Sequence, residues 1–232
     1  MQNLRTDLLN AVLEEYPRIA NSFYYRKKWN EMSETELWQE LCLCILSSNV
    51  PYQLAKSAVF HLIVNGYLCI DWITNTPNSE TLIAEELSKP KYLPKKKDGS
   101  YRKYRFPNVR SNNIFQAAKT ICSKGNSLSK ILSEANSEEE AREFLVGNIA
   151  GMGLKEASHF LRNIGYSKRL AIIDSHILRF LIGVGAVTQR EVGTISPRIY
   201  HKLEAKLQEM CRTHQLNLAI FDMAIWRCSR GA

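Results

Sequence analysis

The sequence has no long apolar run, no CxxC motif and no convincing two-residue alternation of apolar and polar residues. A helix that crosses a bilayer needs about 20 mostly apolar residues, so the composition argues against a membrane protein. The first residues also lack the basic, apolar and small-residue blocks of a secretory signal, because Asp7, Glu14 and Glu15 interrupt the apolar positions. We therefore expect a soluble intracellular protein.

The six cysteines do not have the spacing of a metal site. Iron–sulfur and zinc sites need several thiolates that converge at short loop spacings. Here the nearest pair, Cys42 and Cys44, is separated by one residue within an apolar run. We expect buried cysteines in a reducing compartment, with no iron–sulfur cluster and no protein-bound metal site.

Since strand-like alternation is absent, the apolar spacing predicts an all-α fold. Ser33 with Glu36, and Ser137 with Glu140, have the pattern of a capping box at a helix start. The first amphipathic helix is expected to end before Pro17, because proline removes a backbone donor.

The net charge of +8 lies in one segment. Between Lys89 and Arg110 there are nine basic residues and a single acid, Asp98, so this segment alone carries the whole formal net charge. Such a segment attracts polyanions. A loop or extended connection is expected here because of its prolines and Gly99. Aromatic residues that could stack on bases are interleaved with the charges: Tyr92, Tyr101, Tyr104 and Phe106. A solvated basic loop accounts for the charge equally well.

Residues 148–165 predict two helices joined by a tight turn that contains Gly151 and Gly153. The amides of the first turn of the second helix would point outward and form a phosphate site. Lys155 stands two residues after the second glycine, and a lysine partly desolvated at that edge is a usable nucleophile. A simple helix–helix turn with a solvated lysine is an alternative interpretation of the same residues.

Asp174 follows the apolar residues 171–173 and precedes another predicted helix. An aspartate in that position is a common N-cap. A carboxylate delivered from a buried strand-like segment into a cleft is also suited to stabilising developing positive charge. The two roles are compatible, because an N-cap carboxylate is held rigidly.

Taken together, Gly151, Gly153, Lys155 and Asp174 resemble the helix-hairpin-helix DNA glycosylase superfamily. Its bifunctional members carry their hairpin glycines, nucleophile and catalytic aspartate in this order. The chain is most similar to the small archaeal-type, second-class 8-oxoguanine DNA glycosylase/AP lyases over about residues 36–228. The segments that carry this likeness are Glu40–Asn49, Ala141–Val146 and Lys155–Arg162.

The resemblance implies an all-α fold that forms a single glycosylase unit over residues 1–232. It implies two helical lobes with an active-site cleft between them. The expected boundaries are lobe one over 33–118, and lobe two over 1–32 plus 119–232, with the hairpin at 141–165 and the aspartate loop at 171–176.

The resemblance also implies the catalytic roles. Lys155 would attack C1′ of the damaged nucleoside as the base departs, and the resulting Schiff base would permit strand scission by β-elimination. Asp174 would stabilise the oxocarbenium-like transition state and help to orient the lysine.

DNA-binding roles follow from the same resemblance. The amides around Gly151 and Gly153 would hold the DNA backbone, at a place where an alkali-metal ion can bind; no other cofactor is expected. Because the target base must leave the stack, Asn49 at a helix end is expected to probe the gap. His176 would position a phosphate or begin its helix.

For the base pocket, the resemblance assigns Phe106 and Trp226 to sandwich the flipped base and Asp222 as a polar contact. Two departures from the family concern this pocket and the DNA contact. Family members extend past the tryptophan to a lysine near the C-terminus. After Trp226 this sequence reads Arg-Cys-Ser-Arg-Gly-Ala232, which contains no lysine. The basic segment from Lys89 to Lys103 is longer than the family's usual connection.

Two alternatives stay open beside an oxidised-purine glycosylase/lyase. The same machinery could act on a different damaged base, or the hairpin could serve a non-catalytic DNA-binding module. A module needs neither the lysine nor the spaced aspartate, and a helical scaffold for a protein partner leaves the basic segment unexplained. The expected partner is damaged double-stranded DNA, bound by a monomer in the cytoplasm or nucleoid, or in the nucleus of a eukaryote.

Overall fold

The computed structural model of the chain describes residues 2–24, 27–123 and 126–229, and the fold of these residues is helical with no named strand. This confirms the all-α prediction. None of the described helices is both long and apolar enough to cross a membrane. A 3₁₀ turn lies at Trp29–Glu31. The α-helices are α1 (Gln2–Tyr24), α2 (Glu34–Ser47), α3 (Tyr52–Val64), α4 (Ile70–Asn75), α5 (Ser79–Ser88), α6 (Pro107–Cys122), α7 (Leu128–Glu134), α8 (Glu138–Asn148), α9 (Leu154–Asn163), α10 (Ser175–Gly183), α11 (Gln189–Val192), α12 (Pro197–Thr213) and α13 (Leu218–Cys228).

The chain divides into two compact units. The hairpin unit spans Trp29–Phe160, and the terminal unit combines Met1–Lys28 with Leu161–Ala232. This division differs from the expected lobes, because residues 119–160 group with α2–α6.

Local contacts explain why residues 119–160 belong to the hairpin unit. The Glu34 carboxylate at the start of α2 accepts hydrogen bonds from the amides of Leu128 (2.9 Å) and Ser129 (2.8 Å), which ties α7 to α2. The turn after α8 packs closely against α6 at Asn113. Both contacts join residues far apart in the sequence.

The expected caps are present at α2 and α8. At α2 the box is reciprocal: Ser33 N donates to Glu36 (2.7 Å), and Glu36 N donates to the Ser33 hydroxyl (3.3 Å). At α8 the Ser137 hydroxyl accepts from Glu140 N (3.0 Å). The Glu140 carboxylate, however, accepts from the amide of Asn136 instead (2.8 Å). Each arrangement satisfies amides that a helix start leaves open.

The prediction that the first helix ends before Pro17 is wrong, because α1 continues through Pro17 to Tyr24. Val12 and Ile19 on this helix are buried in the terminal unit, where α1 packs on α10 and α13. Burial of each such side chain contributes about 1.5–3 kcal/mol. Together they offset the cost of about 3 kcal/mol for an interior proline.

The basic segment is an ordered ribbon rather than a plain loop. Tyr92 and Arg102 pair as an isolated antiparallel bridge, with amide-to-carbonyl distances of 3.0 and 3.1 Å. Tyr92 and Tyr104 are buried, so the expectation that all four aromatic residues of the segment can stack on bases is wrong. Tyr101 remains exposed and Phe106 is half-buried.

The cysteines only partly match their prediction. Cys42, Cys44 and Cys211 are buried, whereas Cys69 and Cys122 are exposed. No cysteine forms a disulfide. In residues 2–24, 27–123 and 126–229 no group of three His, Cys, Asp or Glu side chains could hold a metal ion. The C-terminal segment that differs from the family includes residues 230–232, which lie outside the described residues.

Candidate active site and nucleic-acid interface

The hairpin is formed by α8, the turn of residues 149–153 and α9. The turn begins where Ile149 N donates to Leu145 O (3.0 Å), and it is tightened by Met152 N donating to Ile149 O (3.2 Å). Gly153 O then accepts from Ala157 N (2.9 Å), so α9 starts directly after the second glycine. The preceding amides of the first turn have no partner within the helix. They form the kind of helix N-terminus that binds anions.

Gly151 is required for two separate reasons. Its φ of +83° lies in the left-handed region that side chains disfavour. A Cβ at this position would also lie 2.5–3.0 Å from atoms of the Asn113 side chain. Gly153 is less constrained, since its Cβ would meet one Glu156 carboxylate oxygen at 3.1 Å.

Lys155 stands in the first turn of α9 with its side chain about one-third exposed (32%). Its Nζ lies 3.1 Å from Oε1 of Glu156, whose residue is only 9% exposed. Side chains at adjacent helical positions do not normally face each other. The Lys155 side chain thus contacts a largely buried carboxylate, while about one-third of its surface stays exposed.

A second part of the hairpin unit joins the end of α2 to the start of α6. Asn49 follows α2, is exposed, and has a φ of +59°, as is common for asparagine just after a helix. Arg110 is buried and donates from Nη2 to Ser48 O (3.0 Å), which fixes the residue before Asn49.

Arg110 also links this loop to Phe106 and to the hairpin. Its guanidinium lies 5.9 Å from the Phe106 ring centroid, and Arg105 lies 4.9 Å from the same ring. The side-chain nitrogen of Asn113 donates to Val109 O, and its side-chain oxygen accepts from Arg110 Nη1 (3.3 Å). Because Asn113 lies against Gly151, the unit brings Phe106, the Asn49 loop and the hairpin turn into one connected cluster.

In the terminal unit, Asp174 is the N-cap of α10, as expected. Its Oδ1 accepts both the His176 amide (2.8 Å) and the Ile177 amide (3.0 Å). Asp174 is half-buried. Both capping bonds use one oxygen, which leaves Oδ2 for another partner.

The chain before Asp174 is buried without a sheet to satisfy its backbone groups, so side chains do so. Ala171 N donates to Glu204 (2.8 Å), and the Tyr200 hydroxyl donates to Ala171 O (2.7 Å). Ile172 N donates to Oδ2 of Asp222 (2.7 Å). These bonds fix the path of the strand-like segment that delivers Asp174.

Asp222 is buried, and both its oxygens are occupied. Oδ1 accepts from Arg162 Nη1 (2.8 Å) and Oδ2 from Ile172 N. Burial raises the pKa of Asp222 to about 6, against the lowering effects of Arg162 and the Ile172 amide, and the charge of Asp174 raises it further. These two bonds place Asp222 as a support of the Asp174 loop.

His176 lies beside Trp226 in this unit, with ring centroids 6.5 Å apart. Its Nδ1 lies 2.6 Å from the Ser229 hydroxyl and 3.0 Å from Arg179 Nη2. The imidazole is therefore tied to the end of α13, and Trp226 is half-buried.

The described residues thus place the expected site residues in two sets. Asn49, Phe106, Gly151, Gly153 and Lys155 belong to the hairpin unit. Asp174, His176, Asp222 and Trp226 belong to the terminal unit. Four supporting residues of the site were not predicted from the sequence: Arg110, Asn113, Glu156 and Arg162. Of these, only Glu156 has a local signal, since it directly follows the lysine.

Comparison with known proteins gives a consistent family. A family model described as 8-oxoguanine DNA glycosylase matches residues 20–216. An 8-oxoguanine DNA glycosylase/AP lyase of Sulfurisphaera tokodaii is 36% identical over 196 residues, which is 83% of this chain and 80% of that protein.

Two solved structures are similar over nearly the whole chain. The Methanocaldococcus jannaschii 8-oxoguanine glycosylase/lyase, in complex with a 15mer DNA containing 8-oxoguanine, has a TM-score of 0.76 and 28% identity. It covers 97% of this chain and 98% of that one. The 8-oxoguanine DNA glycosylase of Thermotoga maritima has a TM-score of 0.74 and 26% identity, with coverage of 100% and 98%.

Proposed function

The chain belongs to the 8-oxoguanine DNA glycosylase family, and from this membership we propose that it excises 8-oxoguanine from double-stranded DNA and nicks the strand at the same site. It is then an enzyme with both DNA N-glycosylase and AP lyase activity. The observation that carries the proposal is the position of Lys155. The lysine stands two residues after the hairpin glycine that ends the turn, with its side chain about one-third exposed.

Lys155 is the nucleophile of the proposed reaction. Its amine forms a bond to C1′ as the bond from C1′ to the base breaks. Opening of the sugar gives a Schiff base, loss of a proton from C2′ allows the C3′–O bond to break, and the strand is cut. The Glu156 carboxylate restricts the amine before it reacts, since it lies 3.1 Å away.

Asp174 is the proposed carboxylate partner. Positive charge develops on the sugar as the base leaves, and a fixed negative charge lowers the energy of that transition state. Because Oδ1 is held by two backbone amides, the carboxylate needs no reorganisation during the reaction. The start of α10 therefore already fixes the position of this negative charge.

The remaining site residues have roles in binding DNA and base. The amides at Gly151 and Gly153 hold a phosphate, and His176 supports phosphate positioning. Asn49 probes the gap left by the flipped nucleotide. Phe106 and Trp226 stack on the extruded base, and Asp222 acts on that pocket through the loop it supports.

An alkali-metal ion at the hairpin is part of the proposal. The turn of residues 149–153 offers main-chain carbonyl oxygens, the ligand type that replaces the hydration shell of K⁺ in proteins. Such an ion would add positive charge beside the bound phosphate. DNA affinity in potassium chloride should exceed that in tetramethylammonium chloride of equal concentration, and equal affinities would remove the ion from the proposal.

The test is excision by the purified protein from duplexes that carry different damaged bases opposite each normal base. We expect 8-oxoguanine to be released fastest, with the strand nicked at the same site. Preference for another lesion would leave the machinery intact and replace the substrate. Binding without any excision or nicking would indicate a non-catalytic module. Sedimentation of the enzyme–DNA complex should show one protein chain per duplex, as a monomer requires.

A further inference from the structure

The strongest feature that the proposed catalytic reaction does not use is the basic ribbon, defined here as residues 91–104. Its root is anchored by two buried tyrosines. The Tyr92 hydroxyl donates to Glu86 O (2.6 Å), and the Tyr104 hydroxyl donates to Leu46 O (2.5 Å). Burial raises the pKa of both phenols, that of Tyr104 to about 12, so they remain hydrogen-bond donors. A solvated loop that merely carried charge would not need such anchors.

Charge is distributed unevenly along the ribbon. At the root, the buried Glu86 pairs with Lys91 and with the neighbouring Lys89 (2.7 Å), so the two bases share one carboxylate and half of their charge is offset. Arg102 is also engaged, because its Nε donates to Pro94 O (2.8 Å). The tip, in contrast, carries three consecutive exposed lysines, Lys95–Lys97.

The single acid of the segment is used to shape the tip. The Asp98 carboxylate accepts from the amide (2.9 Å) and the hydroxyl (2.6 Å) of Ser100. Lys96 N donates to Ser100 O (2.8 Å), and Gly99 closes the turn with a φ of +81°. The tip is therefore a structured turn rather than a flexible run of charge.

One aromatic residue is exposed beside the lysines. Tyr101 is 45% exposed, and Lys95 Nζ lies 4.6 Å from the centroid of its ring. A cation held over a ring keeps the ammonium group ordered at the surface. The tip therefore presents three exposed positive charges, one of them held over a ring, next to an exposed aromatic side chain.

The ribbon leads directly into the catalytic part of the hairpin unit. Tyr104 bonds to the end of α2 just before the Asn49 loop. Phe106 and Arg110 follow within six residues, and Arg110 bonds to Ser48 O. A polyanion bound at the hairpin would therefore lie on the same unit as the ribbon.

We propose that the tip of the ribbon, Lys95–Lys97 with Tyr101, binds the phosphate backbone of the damaged duplex outside the lesion. This inference rests on the proposed function and extends the DNA-contact surface beyond the hairpin. Fully extended, the segment from Tyr92 to Lys97 would span at most roughly 16 Å at about 3.3 Å per residue. With phosphates about 3.4 Å apart along one strand, that reach corresponds to roughly five nucleotides on one flank of the lesion.

The test compares three variants, each with three lysines replaced. Two of them change Lys95, Lys96 and Lys97, and the third changes lysines outside the ribbon. Replacing the three tip lysines with glutamine removes the charge, and replacing them with arginine keeps it. A matched control replaces the exposed lysines Lys119, Lys130 and Lys202 with glutamine, which changes the net charge of the protein by the same amount. Affinity for an 8-oxoguanine duplex is measured over a range of salt concentrations.

We expect the glutamine variant to lose roughly tenfold or more in affinity at about 0.1 M salt, with the slope of log affinity against log salt reduced by about 2–3. The rate of strand scission at saturating enzyme should fall by less than the affinity. The arginine variant should bind like the wild type, and the control triple should keep the wild-type slope.

Duplexes of different flank lengths add a second measurement. Wild-type affinity should fall when one flank is shortened below roughly five base pairs, and the glutamine variant should not respond to that shortening. An unchanged salt slope in the glutamine variant, or an equal loss in the control triple, would overturn the ribbon contact. A wild-type protein that binds no DNA would instead overturn the proposed function itself.

Discussion

The amide of His176 donates to Oδ1 of Asp174 over 2.8 Å, and the same oxygen accepts the amide of Ile177. One carboxylate oxygen thus caps the start of α10, and the proposed reaction uses the negative charge of the same carboxylate. Structural and catalytic contributions of Asp174 can therefore be separated by substitution.

Asp174→Asn should keep the stability of the protein and lose most base excision. Asparagine is as good an N-cap as aspartate, but it carries no negative charge to stabilise the sugar cation. Thermal unfolding and single-turnover excision of 8-oxoguanine provide the two measurements. Asp174→Ala, the comparison variant, should also lose about 1 kcal/mol of stability. Normal excision by the asparagine variant would remove Asp174 from the mechanism.

Gly151→Ala should destabilise the hairpin and weaken DNA binding. The left-handed φ costs a non-glycine residue about 1–2 kcal/mol, and the new Cβ would collide with Asn113. Gly147→Ala is the matched control, because Gly147 lies in α8 with nothing within 4 Å of its Cβ position. Adding Asn113→Ala removes the two nearest atoms but keeps its Cβ at 3.0 Å, so it should relieve part of the collision and none of the backbone strain. A fully wild-type Gly151→Ala protein would contradict this account of the turn.

Asn49→Gly should lower excision from duplex DNA while the protein stays folded. Glycine tolerates the φ of +59° that Asn49 adopts, so the variant removes only the side chain that is proposed to fill the gap. Scission at an abasic site in single-stranded DNA, where no stacked partner must be replaced, is the internal comparison. Equal losses on both substrates would argue against the gap-probing role.

The Asp222 carboxylate should titrate near pH 6 in the folded protein, because burial raises its pKa from an ordinary value of 3.8. Between about pH 4 and 6 the folded chain therefore holds a proton that the unfolded chain has released. The contribution of this group to the free energy of unfolding decreases as pH rises through that window. The carbon-13 shift of the carboxyl group reports the midpoint.

Arg162 provides the control for this titration. Its guanidinium lowers the pKa of Asp222, so Arg162→Gln should move the midpoint above that of the wild type. A wild-type midpoint near 4 would mean that the carboxylate is far better solvated than its position indicates.

Features encoded by neighbouring residues were predictable from the sequence. The Gly151–Gly153 turn, the capping box at Ser33 and the N-cap at Asp174 each depend on residues within a few positions of one another. Their backbone geometry is set by local chemistry, so the letters alone predicted where α2, α9 and α10 begin.

Contacts between distant residues were not predictable. Arg162 and Asp222 lie 60 positions apart, and the pair of Asn113 with Gly151 has no local signal. A tyrosine suits both a wet and a buried site, so the sequence alone does not distinguish the buried Tyr92 and Tyr104 from stacking residues. At Pro17, tertiary burial along α1 outweighs the loss of one backbone donor, and the local sequence carries no sign of that burial.

The central claim is that Lys155 forms a covalent intermediate with DNA. Borohydride trapping on a duplex that contains 8-oxoguanine or an abasic site tests it most directly. Lys155→Gln removes the amine, while Lys155→Arg keeps a cation beside Glu156 that remains protonated and forms no Schiff base. We predict a trapped adduct with the wild type and none with either variant, although both still bind DNA. An adduct that persists in both variants would place the nucleophile elsewhere and contradict the account.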